Sequence, residues 1–260
     1  ETVIDFGSKN LRLSVFNNSS ELVFSRVKHQ EKSEHENSKI SLIKIIRDAE
    51  KKLSMHIDRV NVLYDSVSYK FVDLAIKKTF DRPTLISKYY YNLIEEANFI
   101  VKENYFKDQI VHSIINKIII DNSKNLEVIS DQIKVNSFIL EIKFICIKRS
   151  IINDLKNEFK RNNLIISNIF CSSYVKSLFY KNKLEVDNNF IFLDIGYERS
   201  SAWYFKNNKL KFFNSINIGG NSITKDISKV LKLNINYSEE LKINFNQNEN
   251  KNFYQNSINH

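Results

Sequence analysis

Two short stretches carry residue types that could do phosphate chemistry, DFGSKN at residues 5–10 and DIGYERS at 194–200. Each places an Asp and, two residues on, a Gly behind an apolar run. The chain has only four glycines, and Gly7 and Gly196 are two of them. At the end of a strand, Asp-x-Gly opens a tight hairpin. Glycine lets the backbone approach a ligand with no Cβ in the way, and the following N–H groups can converge on an anion. The Asp carboxylate then needs compensating charge, which a hydrated Mg²⁺ supplies. Two such hairpins from facing halves would grip the phosphates of a nucleotide from both sides. Asp5, Gly7, Ser8 and Lys9 are the candidates in the first, and Asp194, Gly196 and Ser200 in the second. Asp5 and Asp194 are also the candidate Mg²⁺ residues, through water. A single Asp-x-Gly is an ordinary turn signal. A pair at corresponding places of a repeat is more specific.

The other two glycines, Gly219 and Gly220, break a strand and open a helix in INIGGNSIT. A helix N-terminus offers free N–H groups, so this pair joins the phosphate candidates. Farther on, Glu239 and Lys242 lie three apart on one helix face in SEELK. That spacing suits hydrogen bonds to ribose hydroxyls and contact with a base. It equally suits a surface ion pair of little energy.

The elements that must position these residues can be read from hydrophobic periodicity. TVIDF, LRLSVF and ELVFSRV read as three strands separated by GSKN and NNSS. After a charged loop, SKISLIKIIRDAEKKLSM has Ile43, Ile46 and Leu53 at helical spacing and Ser38 as a candidate cap. RVNVLY returns as a strand. Residues 65–136 are less regular, with an amphipathic helix after Pro83 and β-like runs at QIVHSIINKIIID and LEVIS. SFILEIKFICI reads as a long central strand. A helix capped by Ser150 follows, with Ile152, Leu155 and Phe159 on one side, then LIISNIF as a strand and SYVKSLFY as a short helix. From Asn189 the opening repeats: NFIFLDIG, SSAWYF and KLKFFNSINI are strands, and GGNSITKDISKVLKL enters a helix. A strand–Asp-x-Gly–strand–strand–helix unit used twice predicts two related α/β halves.

Composition is that of a globular chain, 42% hydrophobic and 27% charged, with a formal net charge of +9. The lysines form no single block and no basic-aromatic stripe, so no nucleic-acid partner is expected. Cys146 and Cys171 lie in apolar surroundings and are expected as buried free thiols. His29 and His35 share a charged loop that reads as solvated rather than metal-binding. No run of eighteen apolar residues suggests a membrane span. FNQNENKNFYQNSINH at the end reads as an Asn-rich loop or disorder.

Taken together, the two Asp-x-Gly turns, the glycine pair and the Glu-x-x-Lys resemble the actin-like ATPase superfamily. Within it, IGGNSITKDISKVLKL, EIKFICIKRSIINDLKNEFKRNNLII and IVHSIINKIIID resemble FtsA, the bacterial division family. The resemblance covers residues 2 to about 243. It implies an α/β, actin-like (ribonuclease H-like) fold of duplicated β-β-β-α-β-α halves with an inserted α+β subdomain, the second half incomplete. Residues 1–64 and 138–187 would form the first subdomain and 65–137 the FtsA-type insertion. Residues 188–225 would start the second half, and 226–260 its outer subdomain and tail. FtsA continues beyond this point to an amphipathic membrane-targeting helix, so the chain reads as truncated or a fragment.

The resemblance further implies ATP and Mg²⁺ as cofactors, with Glu239 and Lys242 contacting the adenosine. It implies self-association into filaments and partnership with FtsZ and later division proteins. The protein would then lie on the inner face of the cell membrane at the septum, attached through a C-terminal helix not in this chain. Tyr197, Glu198 and Arg199 depart from the small residues that FtsA carries after its second Asp-x-Gly. They point to nucleotide binding with at most weak ATPase activity, and no residue stands out as a catalytic base. A pilus-assembly ATPase of the PilM type, a small-molecule kinase and a nucleotide-free scaffold of the same fold are the competing readings.

Overall fold

A computed structural model describes residues 1–29, 34–121, 124–126, 129–130, 132–184 and 188–244. The opening forms β1 (Thr2–Phe6), β2 (Asn10–Phe16) and β3 (Leu22–His29), an antiparallel meander, then α1 (Glu34–Leu53) and β4 (Arg59–Tyr64). The crossover through α1 brings β4 back parallel to β1. With β9 (Ile165–Cys171), the sheet order is β3-β2-β1-β4-β9. Alternation puts Ile4, Leu11, Leu13 and Val15 on one face, all buried. Against them pack Leu42, Ile45, Ile46 and Ala49 of α1, spaced three and four apart. Of the residues expected on this face, Ile46 belongs to it and Ile43 is only half-buried. The helix also begins at Glu34, ahead of Ser38.

The middle of the chain is more regular than its sequence. β5 (Lys70–Leu85), α2 (Ser87–Asn104), β6 (Asp108–Ile120), β7 (Lys124–Leu126) and β8 (Lys134–Lys148) build an antiparallel sheet of order β5-β8-β6-β7. β8 and β6 are the two inner strands of this sheet, and β8 runs across the expected boundary between residues 137 and 138. One face of β8, Phe138, Leu140, Ile142 and Phe144, packs on Leu93, Ala97 and Val101 of α2. On the opposite face, Ile145 and Ile147 join the first core. The helix expected after Pro83 is α2, which starts at Ser87, and Pro83 itself lies near the end of β5. It falls in a register shift between Thr79 and Thr84 on an edge strand, where a missing N–H is tolerated.

α3 (Arg149–Lys160) and α4 (Ser172–Lys183) flank β9. Ile152, Leu155 and Phe159 are buried as the periodicity predicts. Ser150 does not cap α3: the helix starts at Arg149 behind Lys148, with no side-chain cap. The second meander is β10 (Phe190–Ile195), β11 (Ser200–Lys206) and β12 (Lys209–Ile216), followed by α5 (Gly220–Leu231) and α6 (Ile235–Asn244). Trp203, Phe205 and Leu210 enter the first core, where Trp203 meets Tyr174, Phe71 and Phe213. Both cysteines are buried free thiols. Among the described residues, no helix is long and apolar enough to cross a membrane. The Asn-rich segment after Asn244 lies outside the described residues.

Candidate functional site

The two Asp-x-Gly turns have one geometry. The Gly7 N–H donates to the Asn10 carbonyl at 3.1 Å, and the Gly196 N–H donates to the Arg199 carbonyl at 2.9 Å. A Cβ at Gly7 would stand 2.8 Å from Asn10 O, and one at Gly196 would stand 2.9 Å from Arg199 O. The backbone of the turn itself therefore demands glycine at both places. Both turns open on one cleft of about 170 Å³. Asp5, Gly7, Ser8 and Lys9 line it from β1 and the first turn, and Asp194, Gly196, Tyr197 and Arg199 from β10 and the second.

The glycine pair has a different place from the one expected. Gly219 and Gly220 brace the second turn from behind and do not line the cleft. Gly220 N–H donates to Gly196 O at 2.9 Å and Asn221 N–H to Tyr197 O at 2.7 Å, so these N–H groups of α5 are already used. A Cβ on Gly219 would meet Gly196 O, Tyr197 O and Arg199 N at 2.5, 2.7 and 2.8 Å. Ser200 also turns away, donating its hydroxyl to the Ile218 carbonyl at 2.6 Å.

The acidic groups of the cleft are held by cations of the same chain. Asp5 pairs with Arg12 at 2.9 Å and accepts the Ser172 hydroxyl at 3.2 Å. Asp194 pairs with Lys176 of α4 at 3.1 Å. Burial alone would lower the Lys176 amine, but Asp5, Asp194 and Asp65 outweigh it and raise its pKa. Lys9 reaches Glu239 at 2.5 Å and lies 4.7 Å from the centre of the Tyr197 ring, a cation–π contact. Lys242 pairs with Glu239 at 2.5 Å and donates to Gly220 O at 2.9 Å and Thr224 Oγ1 at 2.8 Å. Burial pushes the Glu239 carboxyl up, yet hydrogen bonds from Lys242, Lys9 and Thr224 outweigh it and hold the pKa at about 2. Glu239 and Lys242 thus stand at the edge of the first turn, as a tie to Lys9.

Asp65, Lys176 and Arg12 were not singled out from the sequence. Asp65 directly follows β4, the strand parallel to β1, and that is the signal that could have found it. Its Oδ1 accepts the Ser173 N–H at 3.0 Å and the Ser173 hydroxyl at 2.8 Å. Burial raises the Asp65 pKa further than these hydrogen bonds lower it. Arg199 crosses from the second half and donates to the Asp65 carbonyl. Glu198 is not among the residues that line the cleft.

Residues 191–258 match the family model of the cell division protein FtsA. A chain of the PilM–PilN type IV pilus biogenesis complex superposes with a TM-score of 0.65 at 13% identity, over 93% of this chain and 68% of that one. The fold is actin-like. Less similar structures include EutJ from Carboxydothermus hydrogenoformans (TM-score 0.45, 10% identity, 93% of this chain, 60% of that one). ADP-bound MreB5 of Spiroplasma citri gives a TM-score of 0.44 at 13% identity, over 93% of this chain and 60% of that one. The chain therefore spans between 60% and 68% of the length of these structures. No curated protein sequence matches it.

In this actin-like frame the cleft has the donor set for a phosphate–Mg²⁺ group. Asp5 and Asp194 offer the carboxylate oxygens that Mg²⁺ takes, one or two at a time, alongside water and phosphate. Lys9, Arg12, Lys176 and Arg199 are the cations that would meet phosphate oxygens. Among the described residues there is no cluster of three or more His, Cys, Asp or Glu side chains able to hold a metal by themselves.

Proposed function

We propose that this chain is a nucleotide-binding actin-like protein of the FtsA type. On this reading it acts in cell division on the inner face of the membrane, linking FtsZ to that surface, recruiting later division proteins and self-associating into filaments. The observation that carries the nucleotide reading is the convergence of both Asp-x-Gly turns on one cleft with four cations and three carboxylates, Asp5, Asp65 and Asp194. The FtsA match over residues 191–258 supports the division role. Ser8, Lys9, Arg12, Lys176 and Arg199 would hold the phosphates, and Asp5 and Asp194 the hydrated Mg²⁺, which would neutralise phosphate charge. Glu239 and Lys242 would meet the nucleoside once Lys9 turns to the phosphates. Asp65, with its raised pKa, is the cleft carboxyl best able to carry a proton. Its Oδ1 is taken by the Ser173 N–H and hydroxyl.

A second reading is a scaffold that binds no nucleotide. It is favoured by the pairing of Asp5, Asp194 and Glu239 with cations of the chain itself. Calorimetric titration with Mg-ATP, on the protein and on Asp194→Ala, separates the two. Saturable binding, weakened at least about tenfold by the substitution, is expected from a lost charge contact. Absence of heat in both, with the fold intact by circular dichroism, leaves the scaffold. A PilM-type role in pilus assembly is the alternative for partners, and co-purification with FtsZ or with pilus proteins decides it.

A further inference from the structure

All three cleft carboxylates are held from one short stretch, the start of α4. Ser172 donates its hydroxyl to Asp5 at 3.2 Å. Ser173 donates its N–H and its hydroxyl to Asp65 at 3.0 and 2.8 Å, and Lys176 donates to Asp194 at 3.1 Å. Ser172 and Ser173 are both buried. A shift of this stretch therefore alters Asp5, Asp65 and Asp194 together.

A side chain of the inserted sheet fixes that start. β9 is the outer strand of its sheet, and Cys171 is its last residue, directly ahead of α4. The Cys171 N–H is received by His112 of β6, at Nε2 and 2.9 Å. β6 shifts register against β8 between Ile110 and His112, so Val111 is the extra residue of a β-bulge. A bulge re-aims the side chains beside it. Here Val111 packs on the first core and His112 reaches β9. The imidazole lies 5.0 Å from the Tyr174 ring, edge-on, and 5.8 Å from the Phe170 ring. Acceptance at Nε2 needs a neutral ring. Burial lowers the His112 pKa to about 4, so the acceptor persists at neutral pH.

We propose that His112 is a positioning residue, through which the placement of the inserted sheet sets the start of α4 and with it the cleft carboxylates. Separation of β6 from β9 takes the acceptor from Cys171. Ser172, Ser173 and Lys176 are then free to withdraw from Asp5, Asp65 and Asp194. The cleft keeps its geometry only while the inserted sheet is docked on the first sheet. The consequence for nucleotide rests on the function proposed above, and the tie itself does not. A histidine that only fills space needs its ring, whereas a positioning histidine needs its acceptor.

The test compares His112→Phe, which keeps a ring and loses the acceptor, with His112→Gln, whose Oε1 can stand where Nε2 stands. Residue-resolved amide hydrogen exchange is measured by NMR on the full chain without ligand. In His112→Phe the Cys171 N–H should exchange about tenfold faster, the size of one hydrogen bond, and the Ser173 N–H about fivefold faster. The amides of β1 should keep their rates, and His112→Gln should restore both sites. Mg-ATP affinity should fall about fivefold in His112→Phe and recover in His112→Gln. Native exchange at Ser173 beside fast exchange at Cys171 overturns the proposal. So does exchange as fast in His112→Gln as in His112→Phe, or an equal quickening of β1. If His112→Phe does not fold, the urea dependence of exchange in the unmodified protein decides. Cys171 and Ser173 should open with one slope, and two different slopes overturn the proposal. The expected exchange pattern with no Mg-ATP binding in any variant upholds the positioning role and overturns the nucleotide reading alone.

Discussion

The two meanders share a turn and bury opposite faces. With Asp5 aligned on Asp194, Ile4 corresponds to Leu193 and Thr2 to Ile191. The cross-strand partners agree, Ile4 facing Leu13 and Leu193 facing Ala202. Ile4 is 0% exposed, whereas Leu193 is 61% exposed and Ile191 65%. On the other face, Ser14 is half-buried where its counterpart Trp203 is 0% exposed. The hairpin is a local property, set by Asp-x-Gly and the hydrogen bond that closes it. Which face is core depends on what packs there: α1 on one face of the first sheet, and Tyr174 and Phe71 on the other face of the second.

The comparison breaks first at stability. Trp203→Ala should cost about 4 kcal/mol and Ile4→Ala about 3 kcal/mol, because each leaves a cavity in the shared core. Leu193→Ala, at the position matching Ile4, should stay within about 0.5 kcal/mol. Urea unfolding measures all three. An equal loss at Ile4 and Leu193 would mean that the second face is covered in solution.

The glycines sharpen the same contrast. Gly219→Ala should destabilise by about 2 kcal/mol, since its Cβ meets three backbone atoms that cannot yield easily. At Gly220 the nearest atom to a Cβ is Lys242 Nζ at 3.3 Å, the far end of a flexible side chain. Gly220→Ala should therefore change stability by less than about 0.5 kcal/mol, helped by the gain in helix propensity. Similar losses in the two variants would contradict the bracing of the second turn by α5.

Most of this architecture is written in the residues themselves. Apolar alternation marks both meanders, and three- and four-residue spacing marks α3 with Ile152, Leu155 and Phe159 inward. β5 was hidden because Lys77, Lys78, Asp81, Arg82 and Pro83 interrupt a strand that lies at the sheet edge and need not be apolar. The sequence shows where the turns are, but not what their glycines are for. Gly7 and Gly196 leave space for their own turns, and Gly219 for its neighbour's, where phosphate approach had been expected. Lys176 escaped notice because its role comes from long-range pairing, which no local spacing encodes, whereas Arg12 is the cross-strand partner of Asp5 in the first hairpin and the hairpin register could have found it. Lys176 meets Asp194 only because α4 packs beside β10.

The first half also sends two lysines to carboxylates of the second, Lys176 to Asp194 and Lys9 to Glu239. The second tie gives the smallest effect and a readable signature. The Glu239 carboxyl is held at about 2 in the fold, below its ordinary 4.5. A depressed carboxylate stabilises above its unfolded pKa and loses that contribution as pH falls through the folded value. The gap in melting temperature between the protein and Glu239→Gln should therefore be widest near neutrality, narrowing from about pH 5 to about pH 2. Lys9→Met should narrow the neutral gap in part, since Lys242 and Thr224 still hold the carboxylate. A gap that does not vary with pH would mean that Glu239 acts through packing alone, and that the halves are tied here by contact rather than by charge.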